Sequence, residues 1–243
     1  VDCGYHRVGV DPDRDESVAI AAKVSQSPHV DFRGILTHAG QAYRCRRLEE
    51  ISRVAGQERE VMVAFADRLR RAGVRVDEIS VGSTPTMSVT DNLEGVTEAR
   101  PGNYAFYDAF QASIGSCSLS DCAFSVLVTV VGQYPDQNKL VVDGGSLAFS
   151  LDPGPRHADP ECGYGSFITT NGRRPLPELR LVSMSQEHGQ VCGRVPIDFE
   201  RYPVGSQLRI VPNHSCLAAA MFDRYHVVRD DHVVDEWSPT RGW

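Results

Sequence analysis

The sequence predicts half of a (β/α)8-type barrel followed by a mostly antiparallel β domain. Three observations carry that prediction. Over residues 1–107, strand-sized apolar runs alternate with helical ones, as in a parallel sheet with crossover helices. Over residues 108–243, short strand-like runs are parted by Gly, Pro, Asp and Asn turns. A full eight-fold barrel takes about 250 residues, roughly 30 per βα unit, so the first stretch supplies about half of one.

Taken in order, residues 1–4 read as a strand stub. Asp15–Ser25 has helical apolar spacing through Val18, Ala21, Ala22 and Val24. Residues 32–37 read as a buried strand, 47–72 as a long amphipathic helix, 78–82 as a strand, 87–93 as a short helix and 96–100 as a strand. That makes four strands and three helices. The second half offers strands at 123–131, Lys139–Val142, 147–151, 179–185, 207–211, 225–228 and His232–Trp237. Their turns include Pro135-Asp136, Asp152-Pro153-Gly154, Asn171-Gly172 and Pro203-Val204-Gly205. Half a barrel leaves an unpaired edge on its first strand, so the expectation is a fragment of a longer barrel.

Composition narrows the function classes. The chain has 243 residues, is 41% hydrophobic and 23% charged, and carries a net charge of −7. No apolar run approaches the roughly 20 residues of a membrane span, and no Lys/Arg cluster suggests a nucleic-acid face. Seven cysteines at irregular spacing, without a CxxC pair, fit reduced cytoplasmic thiols rather than a disulfide framework. Cys117 and Cys122 are close enough to pair but read better as small buried thiols. Only two of the 25 basic residues are lysines, Lys23 and Lys139.

In βα barrels the chemistry sits on loops after the strands. Here those loops are Gly4-Tyr5-His6-Arg7-Val8-Gly9, Thr37-His38-Ala39-Gly40, Gly82-Ser83-Thr84-Pro85-Thr86 and Arg100-Pro101-Gly102-Asn103-Tyr104. The third offers backbone N–H groups and three hydroxyls before a short helix, which suits a phosphate. Arg100 adds a guanidinium beside a second glycine loop. Arg7 and His38 are further candidates, though a lone histidine is more often structural. In the second half, His214-Ser215-Cys216 would place imidazole and thiol on one face of an extended segment. That pair suits Zn²⁺ or a similar metal and leaves positions open for water or substrate.

Six stretches together resemble one family. They are Asp2-Cys3-Gly4-Tyr5-His6-Arg7-Val8-Gly9, Val81-Gly82-Ser83-Thr84-Pro85-Thr86, Arg100-Pro101-Gly102-Asn103-Tyr104, Val142-Asp143-Gly144-Gly145-Ser146, Ser185-Gln186-Glu187-His188-Gly189 and Pro212-Asn213-His214-Ser215-Cys216; the ending Trp237 … Arg241-Gly242-Trp243 also fits. In this order they resemble the D-threonine aldolase and D-serine dehydratase family, which depends on pyridoxal 5′-phosphate (PLP) and has the alanine racemase-like fold. The resemblance implies roles by position. Arg7 is similar to the arginine near the cofactor's phenolic oxygen and the substrate carboxylate; His38, on the next strand-end loop, is kept as a catalytic candidate from its position alone. Gly82, Ser83, Thr84, Gly102, Asn103 and Tyr104 resemble the cofactor-phosphate loops, and Arg100 the arginine that faces the pyridine nitrogen in the racemases. His214 and Cys216 resemble ligands of a divalent metal, Zn²⁺ or Mn²⁺.

The resemblance implies a lyase acting on small D-3-hydroxy amino acids. Cys216 favours D-serine or D-threonine dehydratase; D-threonine aldolase, an amino-acid racemase and an inactive fragment are the alternatives. The implied complete protein is a homodimer with no nucleic-acid or membrane partner. One departure stands out: nothing here matches the family's cofactor lysine at the end of the first barrel strand. Lys23 falls in a helix and Lys139 at the start of a later strand. The expectation is therefore that this chain alone is inactive.

Overall fold

A computed structural model describes residues 1–172, 174–230 and 232–241. The chain divides into two compact units, Val1–Tyr104 with Ile114–Ser116, and Ala105–Ser113 with Cys117–Trp243. Gly242 and Trp243 of the terminal motif lie outside the described residues.

In the first unit the elements run α1 (Asp15–Ser25), β1 (Gly34–Leu36), α2 (Leu48–Arg71), β2 (Glu78–Val81), α3 (Thr84–Val89) and β3 (Glu98–Ala99). The strands form one parallel sheet in the order β1-β2-β3. Helix α2 buries a stripe of Ile51, Ala55, Glu58, Met62, Phe65 and Leu69, spaced by fours and threes as one helical face requires. Glu49 and Glu50 in its first turn and Arg68, Arg70 and Arg71 in its last suit the helix dipole. Met62, Phe65 and Leu69 pack with Ile35, Ile79 and Val81 of the sheet.

Several sequence expectations need correction. Residues 1–4 form no strand. The Val1 ammonium reaches Leu36 O at 2.7 Å, but Asp2 N turns back to Val10 O at 2.9 Å, so no ladder forms. The short helix starts at Thr84 rather than 87, because the Ser83 hydroxyl caps it. The strand expected at 96–100 shrinks to Glu98–Ala99.

The second unit contains α4 (Ala109–Ser113), β4 (Val126–Tyr134), β5 (Lys139–Val142), α5 (Ser146–Phe149), β6 (Gly165–Ile168), β7 (Leu179–Met184), β8 (Gly189–Gly193), β9 (Gln207–Pro212), α6 (Ser215–Ala219), β10 (Tyr225–Arg229) and β11 (His232–Trp237). Six strands form one sheet in the order β6-β9-β4-β5-β8-β7, with every neighbouring pair antiparallel. The sheet curls until its edges meet: Tyr164 N, just before β6, donates to Leu181 O of β7 at 2.9 Å. Along β4, Val126, Val128 and Val130 are buried while Leu127 and Val131 are exposed, the alternation of a one-sided strand. Leu140, Leu181, Val191 and Ile210 complete the core. The β10–β11 hairpin stands apart, tied down by the Tyr225 ring edge-on to Phe106 and Phe124.

Two strands, β6 and β8, were not expected. The strand expected at 147–151 is instead α5. Ser146 N and Leu147 N are taken by Ser185 O and Gln186 O. The chain approaches that turn so closely that a Cβ on Gly145 would lie 2.4 Å from Ser185 O. Among the described residues no helix is long and apolar enough to cross a membrane.

Candidate active site

In the first unit the predicted residues gather at the carboxyl ends of β1, β2 and β3. The opening loop folds on Asp2, whose carboxylate accepts from Gly4 N and His6 N; these bonds hold it below the usual carboxylate range. That loop carries Tyr5, whose ring lies beneath the exposed Arg7 guanidinium at 5.3 Å and edge-on to His38 at 5.8 Å. Arg7 and His38 line one cavity of about 330 Å³ with Tyr5, Leu36, Thr37 and Phe65. Burial holds the His38 imidazole below its ordinary value, with Arg7 and Arg100 adding to the effect against the Gly82 carbonyl. The ring is thus neutral near pH 7.

The Gly82–Thr86 turn differs from expectation in how its hydroxyls are used. Ser83 Oγ accepts from Thr86 N, and Thr86 Oγ1 accepts from Ser83 N at 2.9 Å. Thr84 Oγ1 accepts from Asn103 N at 3.0 Å, which joins this turn to the Gly102–Asn103 loop. Ser83, Thr84 and Thr86 are buried, so their hydroxyls brace the turn, and its backbone is what remains to meet a ligand. Gly102 and Tyr104 are exposed beside it. Gly82 has φ +117°, and a Cβ there would meet Arg100 N at 3.1 Å. Only glycine suits that conformation and closeness. Arg100 spans the strand ends, donating through Nε to Ser80 Oγ at 2.6 Å and through its terminal nitrogen to Thr37 O.

One residue here escaped the sequence reading. Glu58, on the buried stripe of α2, is fully buried, and its Oε1 accepts from Gly82 N at 2.9 Å. Burial raises its carboxyl above the usual range, opposed by the Gly82 N–H, the Thr86 hydroxyl and the Ala39 N–H.

In the second unit, the segment expected to be extended is a helix start. His214 is extended (φ −133°, ψ 97°) at the N-cap of α6, and Cys216 lies in its first turn. The two side chains still meet: the His214 ring is pushed up to about 10 by its bonds to Asp152 and then to Cys216. His214 Nδ1 lies 2.5 Å from Asp152 Oδ2. Asp152, read from sequence only as a turn residue, is therefore the partner that orients the ring. Cys216 is exposed. No group of three or more His, Cys, Asp or Glu side chains arranged for a metal occurs among the described residues. A soft thiolate and an oriented imidazole are nonetheless a donor pair that fits Zn²⁺, with remaining positions for water or substrate. Lys23 is exposed on α1, and Lys139, at the start of β5, lies over the ring of Tyr134 at the end of β4. Neither stands on a strand-end loop.

Comparison with known proteins finds two family models along the chain. The alanine racemase N-terminal domain model matches residues 1–109, and a putative serine dehydratase domain model matches 123–228. The whole chain is 40% identical to a D-serine dehydratase of Dictyostelium discoideum, covering 63% of that protein. It is 36% identical, again over its whole length, to a D-threo-3-hydroxyaspartate dehydratase of Delftia sp., covering 65% of it. Over 98% of its length it is 30% identical to a D-threonine aldolase of Arthrobacter sp, covering 58% of it. A metal-free cysteine-to-alanine mutant of the D-threo-3-hydroxyaspartate dehydratase superposes with a TM-score of 0.90 at 36% identity, over 100% of this chain and 65% of that one. The chain thus spans less than two thirds of the length of each of these three curated relatives. With both domain models in order and full-length similarity, the chain belongs to the D-serine dehydratase and D-threonine aldolase-like family of the alanine racemase fold.

Proposed function

We propose that the protein is a PLP- and divalent-metal-dependent lyase of D-3-hydroxy amino acids, of the dehydratase type. The observation that carries this reading is His214, oriented by Asp152 and paired with Cys216. Histidine and cysteine mutants of the D-threo-3-hydroxyaspartate dehydratase, two residues apart like His214 and Cys216, accompany it; the cysteine mutant is metal-free.

Bound PLP supplies an electron sink, and a bound divalent metal supplies a Lewis acid for the substrate hydroxyl. In this reading Gly82, Ser83, Thr84, Gly102, Asn103 and Tyr104 hold the cofactor phosphate. The positive φ of Gly82 and its closeness to Arg100 N support that role, since they keep the turn free of side chain. Arg100 faces the pyridine ring. Arg7 draws the substrate carboxylate, and neutral His38 beside it holds or releases a proton in the same cavity. His214 and Cys216 hold the metal. The cofactor lysine of the family has no strand-end counterpart here, so the reading assigns it to the portion of the relatives that this chain does not span. The cytoplasmic, homodimeric state belongs to the same proposal.

The protein expressed from its complete coding sequence, loaded with PLP and zinc, tests it. D-serine, D-threonine and D-threo-3-hydroxyaspartate should each release ammonia and a 2-oxo acid, and a chelator should stop the reaction. Glycine and an aldehyde from D-threonine would make it an aldolase instead. Chelator-resistant exchange of the Cα proton would make it a racemase.

A further inference from the structure

Glu58 is the one carboxylate buried in the core of the first unit, and the roles assigned above do not use it. It lies mid-way along α2, which packs against both α3 and the 3-10 turn Gly40–Arg44. Its Oε1 takes the Gly82 N–H at 2.9 Å, and the Thr86 hydroxyl and the Ala39 N–H are also directed at the carboxyl. The other side of Gly82 is also held, since its carbonyl lies 3.4 Å from His38 Nδ1. A single glycine is thus gripped from α2 below and from the β1 loop beside it. A buried carboxylate is costly unless its bonds are worth the desolvation, and a helix needs no glutamate on its apolar stripe.

We propose that Glu58 is a positioning residue for the cofactor-phosphate turn: its carboxylate fixes the Gly82 peptide and so aims the backbone of Gly82–Thr84. This rests on the phosphate-binding reading of that turn. The burial that raises the Glu58 carboxyl also keeps water from competing for the Gly82 N–H, and the Gly82 bond itself opposes that raise. The substitution that separates aiming from packing is one that keeps an acceptor oxygen. E58Q retains it, E58D draws it back by one methylene, and E58L removes it at similar volume.

Two readouts on the protein from its complete coding sequence decide the matter. The first is hydrogen exchange at the Gly82 amide, which needs no cofactor. E58Q should match wild type, while E58D and E58L should exchange about tenfold faster, as loss of one buried hydrogen bond gives. The second is equilibrium binding of PLP and of pyridoxal, which lacks the phosphate. E58D and E58L should weaken PLP by about tenfold and leave pyridoxal unchanged, with E58Q within about twofold of wild type. Equal weakening of both ligands, or unchanged Gly82 exchange in E58D, overturns the proposal and leaves Glu58 a packing residue. If E58L does not fold, E58D carries the comparison alone. If wild type itself shows no preference for PLP over pyridoxal, the phosphate-turn reading fails, and the Gly82 exchange rate still judges the anchor.

Discussion

Asp152 Oδ2 and His214 Nδ1 lie 2.5 Å apart, although the residues are separated by 62 positions in the chain. The bond fixes which ring nitrogen faces away from the acid. Partners of this kind typically set metal affinity by about 10–100-fold. D152A should therefore lower zinc affinity by that order while the fold persists, as read by competition with a chromophoric chelator. C216A should abolish tight binding. Zinc retention equal to wild type in both would remove the metal assignment.

Glu58 makes stability depend on pH in a defined sense. Burial raises its folded carboxyl above the unfolded value. Its contribution is then fully present below the unfolded value, near 4.5, and is lost as pH rises through the folded one. E58Q cannot ionise. Its melting temperature should equal or trail wild type at pH 4 and gain on it steadily toward pH 8. Parallel curves for the two proteins would show that the carboxyl titrates as it does when unfolded.

Gly82 tolerates no side chain. With φ +117° and Arg100 N at 3.1 Å from an added Cβ, G82A should cost about 1–3 kcal/mol of stability. It should also weaken PLP more than pyridoxal. Urea denaturation paired with a binding titration checks both parts. A G82A protein as stable as wild type would mean that the turn relaxes easily.

The curled sheet of the second unit depends on its fully buried leucines. Leu181 is 0% exposed and sits where the two sheet edges meet. L181A should lose about 2–5 kcal/mol in urea unfolding. The same change at the exposed Leu127 should lose well under 1 kcal/mol.

Much of this was legible in residue order, and the failures have physical causes. β5 and β11 stand where the sequence put them, because each is a short valine-containing run bounded by turn residues. β6 and β8 escaped notice since each opens on glycine and has few β-branched residues, so cross-strand pairing rather than propensity makes them strands. Residues 147–151 looked like a strand because a short apolar run has no period of its own; the close approach at Gly145 decides it. The motifs located the turn at Gly82 and the pair at His214 and Cys216. They did not show that the Ser83, Thr84 and Thr86 hydroxyls face inward. Glu58 did leave a trace: it interrupts the apolar register of Ile51, Ala55, Met62 and Phe65, where a solvent-facing glutamate has no place. Asp152 left none, since Asp-Pro-Gly serves any turn.

The position of β9 governs when the second unit can fold during synthesis. It sits between β6 and β4, pairing Val126 with Ile210 and Phe167 with the same residue. A ribosome that has released β4 through β8 has delivered the four-stranded sheet β4-β5-β8-β7 and the single strand β6, with the slot between β4 and β6 vacant. Their facing edges stay bare until residues 207–212 emerge from the exit tunnel. The nascent chain is most vulnerable to aggregation in that interval, and slow codons placed just before β9 would lengthen it.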